Sequence, residues 1–177
     1  MAACSGFIYA LETARNFVEA GSAGNVLVVG TEVYSKIINW RDRTPCVLFG
    51  DGAGAVVVRK VEDDSPGWIG PALLASEGSE AESLYRSHGG TRHAYVEGET
   101  PTEELLLKMN GRRIYSFAVR AVVETIRALL DREGLTFDDL DYVVPHQANA
   151  RILEAAAKRA GWELRKFYIN IAEYANT

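Results

Sequence analysis

The chain has 177 residues, 47% of them hydrophobic and 24% charged, with a formal net charge of -5 at pH 7. That balance suits a globular protein with one sizeable core and excludes a disordered or fibrous chain, while the acidic pI near 5.3 argues against a broad nucleic-acid surface, which needs clustered cations. No apolar run approaches the roughly 20 residues of a membrane span and no signal-type stretch is present, so a cytoplasmic protein is expected; its two cysteines, Cys4 and Cys46, cannot form a disulfide framework.

Residues 5 to 20 carry Ile8, Leu11, Ala14 and Val18 at helical spacing and end at Gly21. This predicts a first helix with Cys4 at its N-terminal edge. Val26-Leu27-Val28-Val29, within residues 25 to 30, is a continuous apolar run and predicts a strand covered on both faces. A polar loop through Trp40-Arg41-Asp42-Arg43-Thr44-Pro45 leads to two predicted strands, 46 to 49 and 53 to 61, joined by a sharp glycine-rich connection over 50 to 54. The acidic run Glu62-Asp63-Asp64-Ser65-Pro66-Gly67 is the clearest boundary and separates residues 1 to 62 from 66 to 177. A strand is predicted over 68 to 76, followed by a polar loop or irregular hairpin over 77 to 99. Thr100-Pro101-Thr102-Glu103 offers an N-cap, a first-turn proline and a capping-box glutamate, so a helix is predicted to begin there. The longest predicted helix spans 111 to 133 and is closed by Gly134. A short strand over 141 to 144, a helix over 148 to 160 before Gly161 and a last strand over 167 to 171 complete an α/β alternation.

Chemistry is expected where strands give way to helices. A thiol at a helix N-terminus meets unpaired N–H groups and the positive dipole end, both favouring thiolate. Cys4 is either such a nucleophile or a small buried side chain, whereas Cys46 reads as structural. His146 follows a strand and Pro145 and precedes a helix, the place where open α/β sheets present ligand-binding groups. Gln147, Asn149 and Arg151 beside it strengthen that reading against a histidine satisfied by backbone. His88 and His93 read as solvated loop residues, and no spacing suits a metal site. Gly50-Asp51-Gly52-Ala53-Gly54-Ala55 formally fits a dinucleotide fingerprint, but a strand follows where a helix should, so that reading is rejected. Arg41 with Arg43, and Arg112 with Arg113, could hold a phosphate, with a solvated surface as the default for each pair.

Taken together, Ala2-Ala3-Cys4-Ser5-Gly6-Phe7, Phe49-Gly50-Asp51-Gly52-Ala53-Gly54-Ala55, Val144-Pro145-His146-Gln147-Ala148-Asn149 and Asn176-Thr177 closely resemble the β-ketoacyl-acyl carrier protein synthase III family. These are the initiating condensing enzymes of type II fatty acid synthesis. The resemblance implies an α/β, thiolase-like layered α/β/α/β/α fold of two similar halves, incomplete at both ends. Residues 1 to 62 would be the remainder of the N-terminal half and 66 to 177 a truncated C-terminal half. It implies a homodimer at full length and a Cys4, His146, Asn176 triad, with no cofactor because a CoA thioester is the substrate. Cys4 would take the acyl group from an acyl-CoA, and His146 and Asn176 would stabilise the enolate formed from malonyl-acyl carrier protein. By the same resemblance Arg43 would pack on the CoA adenine, Asn149 would lie near the pantetheine arm, and Arg151 would face the docked carrier protein.

Two departures stand out: Ala175 replaces the glycine usual before the triad asparagine, and Ser116 stands where some members have lysine. Loss of the flanking segments implies a chain that exposes sheet edges, tends to aggregate and is inactive alone. Competing readings are a related thiolase-fold acyltransferase of secondary metabolism, an inactive scaffold, and a papain-like hydrolase, which leaves the Gly50 to Gly54 run unexplained.

Overall fold

The computed structural model describes residues 2 to 61 and 67 to 177. The chain divides into two units, Met1–Glu32 with Gly52–Ala75, and Val33–Asp51 with Ser76–Thr177. The second unit gathers residues 33 to 51 with the C-terminal segment, a division different from the two halves read along the sequence. The acidic residues 62 to 66 lie outside the described residues.

In the first unit, helix α1 (Gly6–Glu19) packs Ala14 and Val18 on Val28 of strand β1 (Asn25–Val33), with Val58 of a second strand in the same cluster. The helical spacing read from the sequence therefore marks the buried stripe. The apolar run of β1 is not buried on both faces. Val28 is inside, while Leu27 and Val29 are 65% and 53% exposed, because successive strand side chains alternate and α1 covers one face. β1 pairs with β2 (Asp51–Arg59), whose first residue falls inside the predicted glycine-rich connection. Gly52, Ala53 and Gly54 are thus strand residues, and the strand continues through Ala55 to Val58, as the rejection of a dinucleotide loop requires.

The predicted strand over 68 to 76 is also absent. Its backbone bonds go to α1 side chains instead of a ladder: Ala72 N donates to Glu12 Oε2 at 3.0 Å, and Tyr9 OH donates to Ala75 O at 3.2 Å. The Arg15 guanidinium, bonded to both Glu12 oxygens at 2.9 and 2.7 Å, is the main cause that holds Glu12 down to about 2.

In the second unit, residues 43 to 46 form a short helix, α2 (Arg43–Cys46), where the sequence predicted a strand starting at Cys46. Asp42 caps it, its carboxylate accepting from Thr44 N at 2.9 Å. The loop that follows holds a 3₁₀ turn, Ala81–Ser83, and two-residue strands β3 (Leu84–Tyr85) and β4 (Lys108–Met109), which pair antiparallel. The helix expected to begin within residues 100 to 103 is a single 3₁₀ turn, Thr102–Leu105, with no side-chain cap.

α3 (Gly111–Glu133) has the predicted limits. Asn110 accepts from Arg113 N at 3.2 Å, and Gly134 at φ 66 ends the helix. α4 (Ala150–Ala160) is capped by Asn149 and stopped by Gly161 at φ 75. Leu130, Phe137, Leu153, Ala157 and Phe167 form the core of this unit, with Phe137 stacked on Trp162 at 4.6 Å. The Lys166 ammonium donates to the carbonyls of Phe137, Asp138 and Leu140 at 3.2, 2.8 and 2.7 Å. The strands predicted over 141 to 144 and 167 to 171 reduce to one parallel bridge, Val143 with Phe167, and helix α5 (Ile171–Tyr174) takes over the end of the second.

Candidate active site

The residues Ala3–Ser5 form a 3₁₀ turn that runs into α1, closed by Ser5 N donating to Ala2 O at 3.0 Å. Ala3 has φ 44, a left-handed conformation that alanine adopts at a cost of about 1 kcal/mol or more. This kink sets Cys4 at the head of α1. Cys4 is exposed and in no disulfide; Cys46, in α2, is half-buried and also unbridged.

The other two residues of the expected triad lie in the second unit. His146 follows the Val143–Phe167 bridge, in which Val143 N donates to Lys166 O and Tyr168 N to Val143 O, both at 2.8 Å. His146 is exposed by residue, yet desolvation by the surrounding protein lowers its pKa from 6.5. The imidazole is therefore neutral near pH 7 and can donate from one nitrogen and accept at the other.

Asn176 is pinned through its backbone. Its N donates to Leu48 O at 2.8 Å, and its O accepts from Gly50 N at 2.9 Å, a parallel bridge with Phe49. The residue is 6% exposed, and its Oδ1 has no hydrogen-bond partner among the described residues. Buried amides are nearly always satisfied, so this one is held in place with bonding capacity unspent.

The backbone around Asn176 is tightly set. Ala175 lies at φ 59, ψ -164, a region almost restricted to glycine. A Cβ on Gly50 would come within 2.9 Å of Ala175 Cβ and 3.1 Å of Tyr174 O, so the bare glycine is what lets residues 174 to 177 lie against it. Asp51, next in the chain, accepts from Ser35 N at 2.8 Å and from Ser35 Oγ at 2.5 Å, and the Ser35 hydroxyl is the main cause of its lowered pKa. Ala175→Gly should relieve about 1–3 kcal/mol of strain against about 0.5–1 kcal/mol of added backbone entropy. The expected result is a melting temperature higher by about 2–4 °C in a thermal unfolding scan.

The remaining predicted residues are dispersed. Arg43 begins α2 and is exposed. Asn149 Oδ1 caps α4 by accepting from Arg151 N at 3.0 Å, which leaves the amide N–H₂ uncommitted by that bond. Arg151 is exposed on the first turn of α4, and its carbonyl accepts from Tyr115 OH at 3.4 Å. Arg113 is paired with Glu80 at 3.2 Å. His88 and His93 are not simply solvated. Their rings lie 5.2 Å apart, and His88 Nδ1 is 3.8 Å from a Glu104 carboxylate that also binds Lys108 at 2.6 Å. No group of three metal-ligating side chains occurs among the described residues. Gln147 was read only as a neighbour of His146, and neither its bonds to Tyr168 and Asn170 nor the Gly50–Ala175 contact was read; both depend on pairings across more than 20 residues.

A family model described as 3-Oxoacyl-[acyl-carrier-protein (ACP)] synthase III matches residues 1–78, and its C-terminal counterpart matches residues 130–177. The chain belongs to this synthase III family. It is 44% identical over 176 residues to the beta-ketoacyl-(acyl-carrier-protein) synthase III of Clostridium acetobutylicum, covering 99% of this chain and 53% of that protein. The synthase III of Caldanaerobacter subterraneus subsp. tengcongensis is 47% identical over 178 residues, covering 98% of this chain and 52% of that protein. The crystal structure of the Thermus thermophilus synthase III superimposes with a TM-score of 0.82 at 40% identity, covering 98% of this chain and 52% of the other. The fold is thus thiolase-like. The chain spans about half the length of the curated relatives it matches. Among the described residues no helix is long and apolar enough to cross a membrane.

Proposed function

We propose that this chain carries the reacting groups of a β-ketoacyl-acyl carrier protein synthase III, an acyltransferase that starts fatty acid synthesis. The Cys4 thiolate attacks the carbonyl carbon of acetyl-CoA or another acyl-CoA. The bond from that carbon to the CoA sulfur breaks, CoA leaves as thiolate and gains a proton, and the acyl group remains on Cys4 as a thioester. Malonyl-acyl carrier protein then loses carbon dioxide. The electron pair of the broken carbon–carbon bond passes into an enolate, whose oxygen accepts hydrogen bonds from His146 and Asn176. The enolate carbon attacks the acyl carbonyl, a new carbon–carbon bond forms, and Cys4 sulfur is expelled, giving a 3-oxoacyl carrier product.

A neutral imidazole and a buried carboxamide are suited to that task, because neither needs to change charge near pH 7. No cofactor is needed beyond the CoA thioester itself. Arg43 would pack on the CoA adenine, Asn149 would meet the pantetheine arm through its amide N–H₂, and Arg151 would face the carrier protein. A cytoplasmic homodimer is the assembly this reading implies. The observation that carries it is the family match over both 1–78 and 130–177, with Cys4 in the first segment and His146 and Asn176 in the second.

Incubation of the protein, supplied with the flanking segments its full-length relatives carry, with acetyl-CoA followed by mass spectrometry of the Cys4 peptide tests the reading. Acetyl should appear on Cys4, hydroxylamine should remove it, and Cys4→Ala should abolish it; acetylation that survives Cys4→Ala, or none at all, overturns the proposal. A second reading, priming of a polyketide, is favoured by one neighbour, a priming β-ketosynthase of a polyketide pathway with a TM-score of 0.83 at 37% identity. Longer acyl-CoA donors that label Cys4 faster than acetyl-CoA would favour it.

A further inference from the structure

The parallel pairing that carries His146 stops after one bridge, and the reason lies in the next residues. Continuing the ladder from Val143 and Phe167 would require Pro145 N to donate to Tyr168 O, and Asn170 N to donate to Pro145 O. Proline has no N–H, so Tyr168 O would be left without a donor. The Gln147 carboxamide stands in this gap. Its Nε2 donates to Tyr168 O at 2.9 Å and to Pro145 O at 3.0 Å, and its Oε1 accepts from Asn170 N at 3.0 Å. A side-chain amide thus takes the place of a peptide group and serves the three backbone groups that Pro145 leaves unpaired.

The two strands held this way have separate chemical ends. One is the His146 peptide, flanked by Pro145 and Gln147. The other runs from Asn170 through α5 to Ala175 and Asn176, with Ala175 N donating to Ile171 O at 2.9 Å. We propose that Gln147 is the positioning residue of the decarboxylating pocket, its inserted carboxamide fixing the His146 segment against the segment that leads to Asn176. The inference rests on the function proposed above, in which those two side chains hold the enolate oxygen. Two donors that must meet one oxygen tolerate little relative displacement, and misplacement of about 1 Å can cost about 100-fold in rate. Three hydrogen bonds from a single planar amide prevent that displacement; only one of the four bonding positions of the group is left over.

The test uses malonyl-CoA as probe and follows carbon dioxide release and Cys4 acetylation by acetyl-CoA in parallel. Gln147→Leu, close in size but without polar atoms, should lower kcat for decarboxylation by about 10- to 100-fold with KM within about threefold. Cys4 acetylation should stay within about threefold of the unaltered protein. Gln147→Glu keeps the acceptor for Asn170 N but turns the donor into an oxygen facing two carbonyls, so it should fail to rescue. Decarboxylation at the unaltered rate in either variant overturns the inference, and so does an equal loss of both reactions, which would signal general damage. Absence of decarboxylation in the unaltered protein refutes the function and not the positioning, which is then read from the His146 ring by NMR. Its titration midpoint should move toward 6.5 in Gln147→Leu as water enters, and an unmoved midpoint overturns the role.

Discussion

Replacing Asn176 or His146 with alanine should slow malonyl-CoA decarboxylation by about 10²–10³-fold, the usual effect of removing one preorganised donor to a developing oxyanion. The two positions should differ in what else they change. Asn176 is fixed through its backbone, by Leu48 O and Gly50 N, and its side-chain oxygen bonds nothing among the described residues. Asn176→Ala should therefore cost much activity and little stability, a split readable by running the rate assay beside a thermal melt. Unaltered decarboxylation in this variant would remove Asn176 from the mechanism.

His146 adds a pH signature. Desolvation lowers its folded pKa below 6.5, so the unfolded chain binds the proton more readily than the folded one. This contribution to stability is fully present above pH 6.5 and falls as the pH drops toward the folded pKa. Protonation leaves an N–H donor toward the enolate oxygen, so the decarboxylation rate should not fall over that window for want of a donor, while His146→Ala should flatten the part of the stability profile that this group causes.

Leu153→Ala should have the largest effect on stability. Leu153 is 1% exposed on α4 and sits in the cluster of Leu130, Phe137, Ala157 and Phe167, which also holds the stacked Phe137 and Trp162 rings. Deleting a buried leucine costs about 2–5 kcal/mol, because the transfer energy is lost and the surrounding side chains collapse only in part. For a chain of this length that corresponds to a melting temperature lower by roughly 10 °C. Leu135→Ala, at a residue 44% exposed just beyond Gly134, is the control and should cost under about 1 kcal/mol. A Leu153→Ala melt indistinguishable from that control would mean that α4 is not held by this cluster.

The helices α1, α3 and α4 were legible in the sequence because their signals are local. Apolar residues recur at helical spacing, and Gly134 and Gly161 mark ends that need no distant partner; the caps Asn110 and Asn149 were not read, and α4 starts at Ala150 where the sequence predicted 148. Strands were legible where a long apolar run was present, as in β1, and misread where pairing depends on remote residues. Residues 68 to 76 look like a strand, but Ala72 N is claimed by Glu12, 60 residues away. Cys46 looks like the start of one, but the Asp42 cap turns it into the end of α2. Of the candidate site, residue types and local settings were readable: a cysteine at a helix head, a histidine after a strand. Gln147 was visible as a neighbour and not as a bracket, because its work depends on the register of Val143 against Phe167. The contact of Gly50 with Ala175 was hidden for the same reason.

The turn before Cys4 has a consequence for which amino acids that position can accept. At φ 44, Ala3 occupies a backbone basin open to glycine, asparagine and aspartate and hostile to valine, isoleucine or threonine, whose branching crowds the preceding carbonyl. The alphabet allowed next to the sulfur is therefore short, and it is the handedness of one small residue, more than any contact of its methyl group, that aims the start of the helix.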